Sequence, residues 1–451
     1  MEKNGIPVIA IFDVGKTNKK LFLFDEHYNI VFERSAKFLE TVDDDGDPCE
    51  NLESLRLSVF DSLHQVFRMK QFEIKAINFA SYGASLVYLD EDGMPLTPLY
   101  NYLKEYPTAI SDELYHKYGG KTKFSLETAS PILGSLNSAL QLYRIKKQKP
   151  EIFNSIKFAL HLPQYLSFLI SGTYYADMTS IGCHTAMWNY RAHDYHVWIK
   201  EEGLLDKMAP ITSGREVFAA TFPGGSYKVG TGFHDSSSAL IPYLIHFKEP
   251  FLLLSTGTWC ITMNPFADTV LTEDELKQDC LFYLTYDGKP VKASRLFAGY
   301  EHEIQSKRIA DYFGISTSKL RNIEMDWSIM DQLSVIDNEN RSLDYFSTRD
   351  LSLFNNEIEA YHALIYDLVI AQVYAINLVT NHDACKRIFV DGGFSKNHLF
   401  MSLLAKKYPH LEVYAAAMAQ ATALGAALAL HHHWNPNPIP TDIIELKLYK
   451  A

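Results

Sequence analysis

The sequence predicts an α/β protein of two like domains, each with a β-hairpin closed by small residues and a later strand that runs into a glycine turn. Three observations carry this. At 451 residues the chain is longer than a single core usually fills. Residues 8–24 read as a hairpin, and residues 77–85 as a strand ending in SYGAS. The same order returns at 251–263, with STGT at the tip, and at 386–397, where the strand ends in DGGFSKN. The likeness is one of pattern rather than identity. Two domains facing across a cleft are expected, divided as 1–243 and 244–451.

Taken in order, residues 8–12 are a compact β run, DVGKTN (13–18) a turn, 20–24 a second strand, and DEHYN (25–29) a turn into a third, all antiparallel. Residues 41–48, acidic and broken by Gly46 and Pro48, form a loop. Residues 52–69 carry helical spacing in Leu55, Leu57, Val59, Phe60, Leu63 and Val66. A buried strand follows at 76–80, then another at 86–89 before DEDGMP. Amphipathic helices are expected at 135–149 and 158–171, the latter ending at Gly172, and a further helix at 190–205. The Pro-, Gly- and Ser-rich passage 209–225 leads to a junction between about 220 and 250. Residues 421–430, mostly alanine, predict a helix pressed closely against a neighbour. His431, His432 and His433 read as its solvated end rather than as a metal site.

Composition narrows the class. Hydrophobic residues make up 47% and charged residues 21%, as in an ordinary soluble globular protein. Acidic residues outnumber basic ones by 54 to 42, a net charge of −12 that argues against nucleic acid or an anionic membrane as partner. The five scattered cysteines form no CxxC pair and suggest a reduced, cytoplasmic protein without a thiol metal site. The apolar run at 6–12 is too short for an export signal, and no apolar run reaches the roughly 18 residues of a membrane span.

The densest chemistry lies in GTGFHDSSSAL, residues 230–240. A glycine-permitted turn precedes one carboxylate, Asp235, flanked by His234 and three serines. Serines can cap the first turn of a helix opening after the acid, and such an end attracts anions. An aspartate held there can take a proton from an alcohol while phosphate sits nearby, which is what phosphoryl transfer to a hydroxyl needs. Taken alone, an Asp at a helix start is more often a plain N-cap. The turns at 13–17, 232–235, 255–258 and 391–397 add weight, because each follows an apolar strand and offers N–H groups to an anion. None fits GxxxxGK[ST] or GxGxxG.

In this order, DVGKTNKK, GFHDSSSAL, STGTWC, DGGFSKNHLF and AQATALGAALAL resemble the FGGY carbohydrate kinases over residues 8–430. The resemblance implies the sugar kinase/Hsp70/actin ATPase fold, two RNase-H-like domains flanking a catalytic cleft. HD and GTW, with SYGASLVYLDEDG, are most similar to the L-rhamnulokinase and L-fuculokinase branch. It further implies Asp235 as general base and Asp13 as the Mg²⁺ holder. Gly15, Thr17 and Lys20 would cradle the β- and γ-phosphates of ATP, with Gly257 and Thr258 on phosphate from the second domain. Gly392, Gly393 and Asn397 would line the adenine and α-phosphate side. Gly83, Ser85 and His234 would touch the sugar, joined by Asn137 and Gln164. Lys20 as a solvated strand residue, His234 as a packed neighbour, and Asn137 and Gln164 as ordinary helix polars are the plainer alternatives.

Departures fall on the sugar side. Lys16 stands where the family usually has a small residue, Ser85 where the branch has an acid, and Lys104–Glu105 where relatives carry an acid and an arginine. The expected function is ATP- and Mg²⁺-dependent phosphorylation of a small ketose such as L-rhamnulose or L-fuculose. Rivals are a kinase for a xylulose, a ribulose or another polyol, and a silent sugar- or nucleotide-binding protein of the same fold. A homodimer is compatible with the sequence.

Overall fold

Strands form where apolar runs are long enough to be buried on both faces. In the computed structural model, which describes residues 5–16, 18–37, 40–336, 342–380, 385–418 and 420–450, Ile6–Val14 pairs antiparallel with Lys19–Phe24, and that strand with Ile30–Ala36. On its other side Ile6–Val14 runs parallel to Phe72–Ser81. Val8, Ile9, Ala10 and Ile11 are fully buried, as the continuous apolar run of a central strand requires. The sheet continues through Lys228–Gly230 to Val217–Ala219, and the short strand Phe233–His234 adds parallel to the end of 72–81. Helix Leu52–Phe67 covers this sheet through Leu55, Val59, Leu63 and Val66. Its start is fixed by Asn51, whose Oδ1 accepts from Ser54 N at 2.9 Å.

Two compact units divide the chain. One comprises Met1–His246, Leu281–Pro290 and Ala419–Ile443; the other comprises Phe247–Cys280, Val291–Met418 and Ile444–Ala451. The fold thus returns two later segments to the first unit, where the sequence suggested a single cut.

The second unit repeats the design of the first. Phe251–Thr256 pairs antiparallel with Cys260–Asn264 and parallel with Arg387–Gly392, which continues to Glu412–Ala417 and Glu445–Tyr449. Its core is centred on the 23-residue helix Glu357–Val379, capped by Asn356 Oδ1 on the N–H groups of Ile358 and Glu359. This is the one helix among the described residues long and apolar enough to cross a membrane, and the sequence reading passed it over. Of its most apolar window 72% is buried inside the protein, which accounts for its composition.

Three helix expectations need correction. Residues 158–161 form a strand, Phe158–His161, and the helix is Leu162–Ser171, because Pro163, lacking an N–H, suits a first helical turn better than a helix interior. Residues 190–205 hold only the short helix Val197–Glu201. Asn189 Oδ1 accepts from the N–H groups of Arg191 and Ala192, and His193 takes φ +52°, so the chain turns tightly between Trp188–Asn189 and Asp194–Tyr195. The helix expected at 135–149 starts only at Ser138, after a 3₁₀ turn at Gly134–Leu136. His431 is buried rather than solvated, its Nδ1 2.7 Å from the Tyr28 hydroxyl.

The alanine run does press against a neighbour. Helix Ala421–Ala429 crosses helix Asp235–His246 so closely that a Cβ at Gly425 would lie 1.8 Å from Ser238 O.

Candidate active site

The register of the first sheet lines up three strand ends. Asp13 lies opposite Ala80, and Ala80 opposite Phe233, two residues before Asp235. Asp13 and Asp235 thereby come close enough to repel each other electrostatically. Partial burial, that repulsion, and only a partial counterweight from Lys20 push the Asp13 carboxyl up to about 7.

Asp235 opens the helix Asp235–His246. Its Oδ1 accepts from Ser236 N at 2.6 Å and from Ser236 Oγ at 3.3 Å, and lies 3.1 Å from His234 Nε2. Both hydrogen bonds and the His234 approach fall on one oxygen. No described residue donates to Oδ2, and the side chain remains about a third exposed. Burial holds the His234 imidazole below its usual range, so it is neutral near pH 7, and its Nδ1 lies 3.4 Å from Ser237 Oγ.

The surroundings of His234 were not visible from the sequence. Its backbone N–H donates to Thr179 Oγ1 at 2.9 Å, and that hydroxyl donates to Asp177, a fully buried carboxyl pushed up to about 7 by its burial. Gly83 fits against it because a Cβ there would lie 3.0 Å from His234 Cδ2 and 2.3 Å from Cys183 Sγ. Asn78 accepts from Gly232 N at 3.0 Å and donates to Ala426 O at 2.9 Å, tying the turn before Asp235 to the helix 421–429. These partners lie tens to hundreds of residues apart, and no local pattern announces them.

Several expected ligands have partners within the protein. Asn137 spends both amide hydrogens on Pro131 O (3.1 Å) and His184 O (2.7 Å), and its Oδ1 accepts from Leu133 N (2.8 Å). Gln164 Nε2 holds Gly232 O at 2.9 Å and Thr231 O at 3.3 Å. Ser85 is buried, with its side chain bonded to that of Tyr82. Lys104 is drawn away into the acidic loop, at 2.5–2.9 Å from Asp43, Asp45 and Asp47. Lys20 Nζ lies 3.0 Å from Glu33, and Lys16 Nζ 3.6 Å from Glu40 and within 6 Å of the Tyr82 and Tyr102 rings. Thr17 lies outside the described residues.

In the second unit the two glycine turns are joined through Thr256, whose Oγ1 donates to Asp391 O and accepts from Phe394 N. Gly392 takes φ +90°, and a Cβ there would meet Thr256 O at 1.9 Å. The N–H groups of Gly15, Gly257 and Gly392 bond within their own turns and that of Gly393 donates to Thr256 O, so these glycines contribute open backbone rather than spare donors. Gly257 and Thr258 are exposed. Asn397 caps the helix His398–Lys407 through Phe400 N (3.0 Å) and donates to Tyr361 OH (2.9 Å).

The fold has counterparts among known proteins. A rhamnulokinase from Halalkalibacterium halodurans is 28% identical over 161 residues, 35% of this chain; the match spans only 32% of that relative's length. A carbohydrate kinase from Novosphingobium aromaticivorans has the same fold, with a TM-score of 0.81 at 22% identity, over 99% of this chain and 94% of that one. A xylulose kinase from Lactobacillus acidophilus follows with a TM-score of 0.78 at 16% identity, over 99% and 94%. Residues 8–239 match the N-terminal domain of the FGGY family of carbohydrate kinases, and residues 248–438 match the carbohydrate kinase FGGY C-terminal domain. The chain belongs to the FGGY family of carbohydrate kinases.

Proposed function

We propose that the protein transfers the terminal phosphoryl group of ATP to a hydroxyl of a small sugar, a ketose such as L-rhamnulose or L-fuculose, in a reducing, cytoplasmic setting. The observation that carries this reading is the asymmetry of Asp235. Ser236 N and Ser236 Oγ bond Oδ1, which also lies against His234 Nε2, while Oδ2 is left open, the arrangement of a base aimed at an incoming proton. Asp235 takes the proton as the sugar oxygen bonds to phosphorus, and His234 keeps the carboxylate turned. A neutral His234 suits this task, since an imidazolium would weaken the base. Base catalysis of this kind is worth about 10²–10⁴-fold.

Asp13 fits a divalent cation. Its carboxyl is a hard oxygen donor whose charge is poorly compensated by Lys20 alone, so a cation beside it relieves the strain that lifts its pKa. Mg²⁺ bound there would neutralise charge on the transferred phosphoryl group. Gly15 and Lys20 would lie on the phosphate side, with Gly257, Thr258, Gly392 and Gly393 clearing room for the nucleotide.

A coupled ADP-release screen over ketoses, aldoses and polyols tests the proposal. Asp235→Asn should keep nucleotide affinity and lose about 10²-fold or more of sugar-dependent turnover. Near-normal turnover by that variant rejects Asp235 as the base. Sugar affinity in the wild type without ADP release points to a silent binding protein.

A further inference from the structure

Two tyrosine rings stand at the strand ends that form the site. Ser81 pairs with Val14 on one side and with His234 on the other, so Tyr82, the next residue, leaves the sheet between the Asp13 turn and Asp235. The Tyr82 N–H donates to Val14 O at 3.3 Å, and its hydroxyl faces Glu50 and Ser85. Against its ring rests that of Tyr102, with centroids 5.6 Å apart and planes at 56°. Lys16 Nζ lies 5.9 Å from the first centroid and 5.7 Å from the second, a cation over both rings. The loop that carries Tyr102 is pinned on either side of it. Asn101 Nδ2 donates to Pro48 O at 3.2 Å, and Lys104 is held among Asp43, Asp45 and Asp47. The Tyr102 ring is therefore fixed, but its hydroxyl is not. Tyr102 is half-buried, and the hydroxyl makes no hydrogen bond among the described residues. Burial, then the charge of Asp235, then that of Glu50 push the phenol up, so it keeps its proton and is a donor.

We propose that Tyr102 contacts the acceptor: its hydroxyl donates to a second oxygen of the sugar while Asp235 receives the hydroxyl that is phosphorylated. A donor on an immobile ring, within electrostatic reach of the base, meets an arriving oxygen without having to give up a protein partner first. The acceptor it selects carries a carbonyl or a hydroxyl besides the reacting one, as ketoses and polyols do and simple alcohols do not. The same geometry accounts for two departures in the sequence. Lys104 is drawn into the acidic loop, where it anchors the segment instead of reaching the substrate. Lys16, where a small residue is usual, lies over the two rings and helps to seat them. The inference rests on the reading of Asp235 as the base.

The test measures sugar affinity by calorimetry without nucleotide, so it needs no turnover and does not depend on how the base works. The probes are the ketose that the wild type turns over fastest among L-rhamnulose, L-fuculose, D-xylulose and D-ribulose, and its singly deoxygenated analogues, the carbonyl included. Tyr102→Phe should bind the ketose about five- to tenfold more weakly than wild type, the loss of one hydrogen bond. With the analogue that lacks the partner oxygen, the two proteins should agree within about twofold, because the same bond is then missing from both. Tyr100→Phe removes a hydroxyl from the same segment, one that bonds Asp44 and Lys149, and should bind the ketose as wild type does. ATP affinity should be alike in all three proteins. The proposal is overturned if Tyr102→Phe binds the ketose within about twofold of wild type, if its penalty is the same with every analogue, or if Tyr100→Phe or ATP binding loses as much. Sugar-dependent turnover by Asp235→Asn would instead overturn the reading of the base, a separate outcome.

Discussion

Replacing Asp13 by asparagine should stabilise the metal-free protein, and increasingly so as the pH rises. The Asp13 carboxyl is pushed up from 3.8 to about 7. Between those values the native state holds a proton that the unfolded chain has released, so stability falls as the pH rises through the window and the loss is complete above about 7. Three pKa units correspond to about 4 kcal/mol at most. Asp13 keeps some solvent contact, so screening trims this to about 2–3 kcal/mol. Asparagine keeps the shape and cannot ionise. In EDTA, its melting midpoint should therefore exceed that of wild type by about 3–5 °C at pH 8 and by little at pH 4.5. Comparing midpoints of one transition avoids assuming that both units unfold together. Adding Mg²⁺ with ATP should raise the wild-type midpoint and leave that of the variant nearly unmoved. A midpoint difference that stays constant from pH 4.5 to 8 would refute the assignment of charge repulsion and burial to Asp13.

Gly425→Ala should cost about 3 kcal/mol or more, since the new methyl meets the backbone oxygen of Ser238, and thermal melts should show it. Asn78→Ala leaves the Gly232 N–H and the Ala426 carbonyl buried without partners; denaturant unfolding should register about 2–4 kcal/mol, with sugar-dependent turnover falling as well. Glu202, gripped by Lys117, Lys146 and the Tyr118 hydroxyl, has its carboxyl held down at about 2. A depressed acid contributes stability above its unfolded value of about 4.5 and loses it as the pH falls toward 2. The advantage of wild type over Glu202→Gln should accordingly be full at pH 7 and should shrink between pH 4.5 and 2 in parallel melts.

The sheets were legible because their signals are local. An apolar run of five or six residues beside a small-residue turn is enough to place a central strand, and it did so for 6–14, 72–81, 251–256 and 387–392. Asp13 and Asp235 stood out because a carboxylate at the end of such a run has no packing reason to be there. Asn137 and Gln164 look like ligands in a linear reading, which gives no sign that their amide nitrogens bond carbonyls elsewhere in the chain. Helix boundaries failed where a proline or an asparagine turn outweighed periodicity, as at Pro163 and Asn189. The packing of the Tyr283 ring near His234 carried no signal either, since the two lie 49 positions apart.

The contact of Ser238 with Gly425 also bears on how the chain is made. Helix 235–246 leaves the ribosome long before helix 421–429, yet Leu240, Ile241 and Tyr243 are buried in the finished first unit. During synthesis of the intervening 174 residues, counted from His246 to Ala421, the first unit lacks the helix that closes over its base. The nascent amino-terminal half must wait, apolar surface uncovered, and at that stage it depends on chaperones or on rapid translation to avoid aggregation.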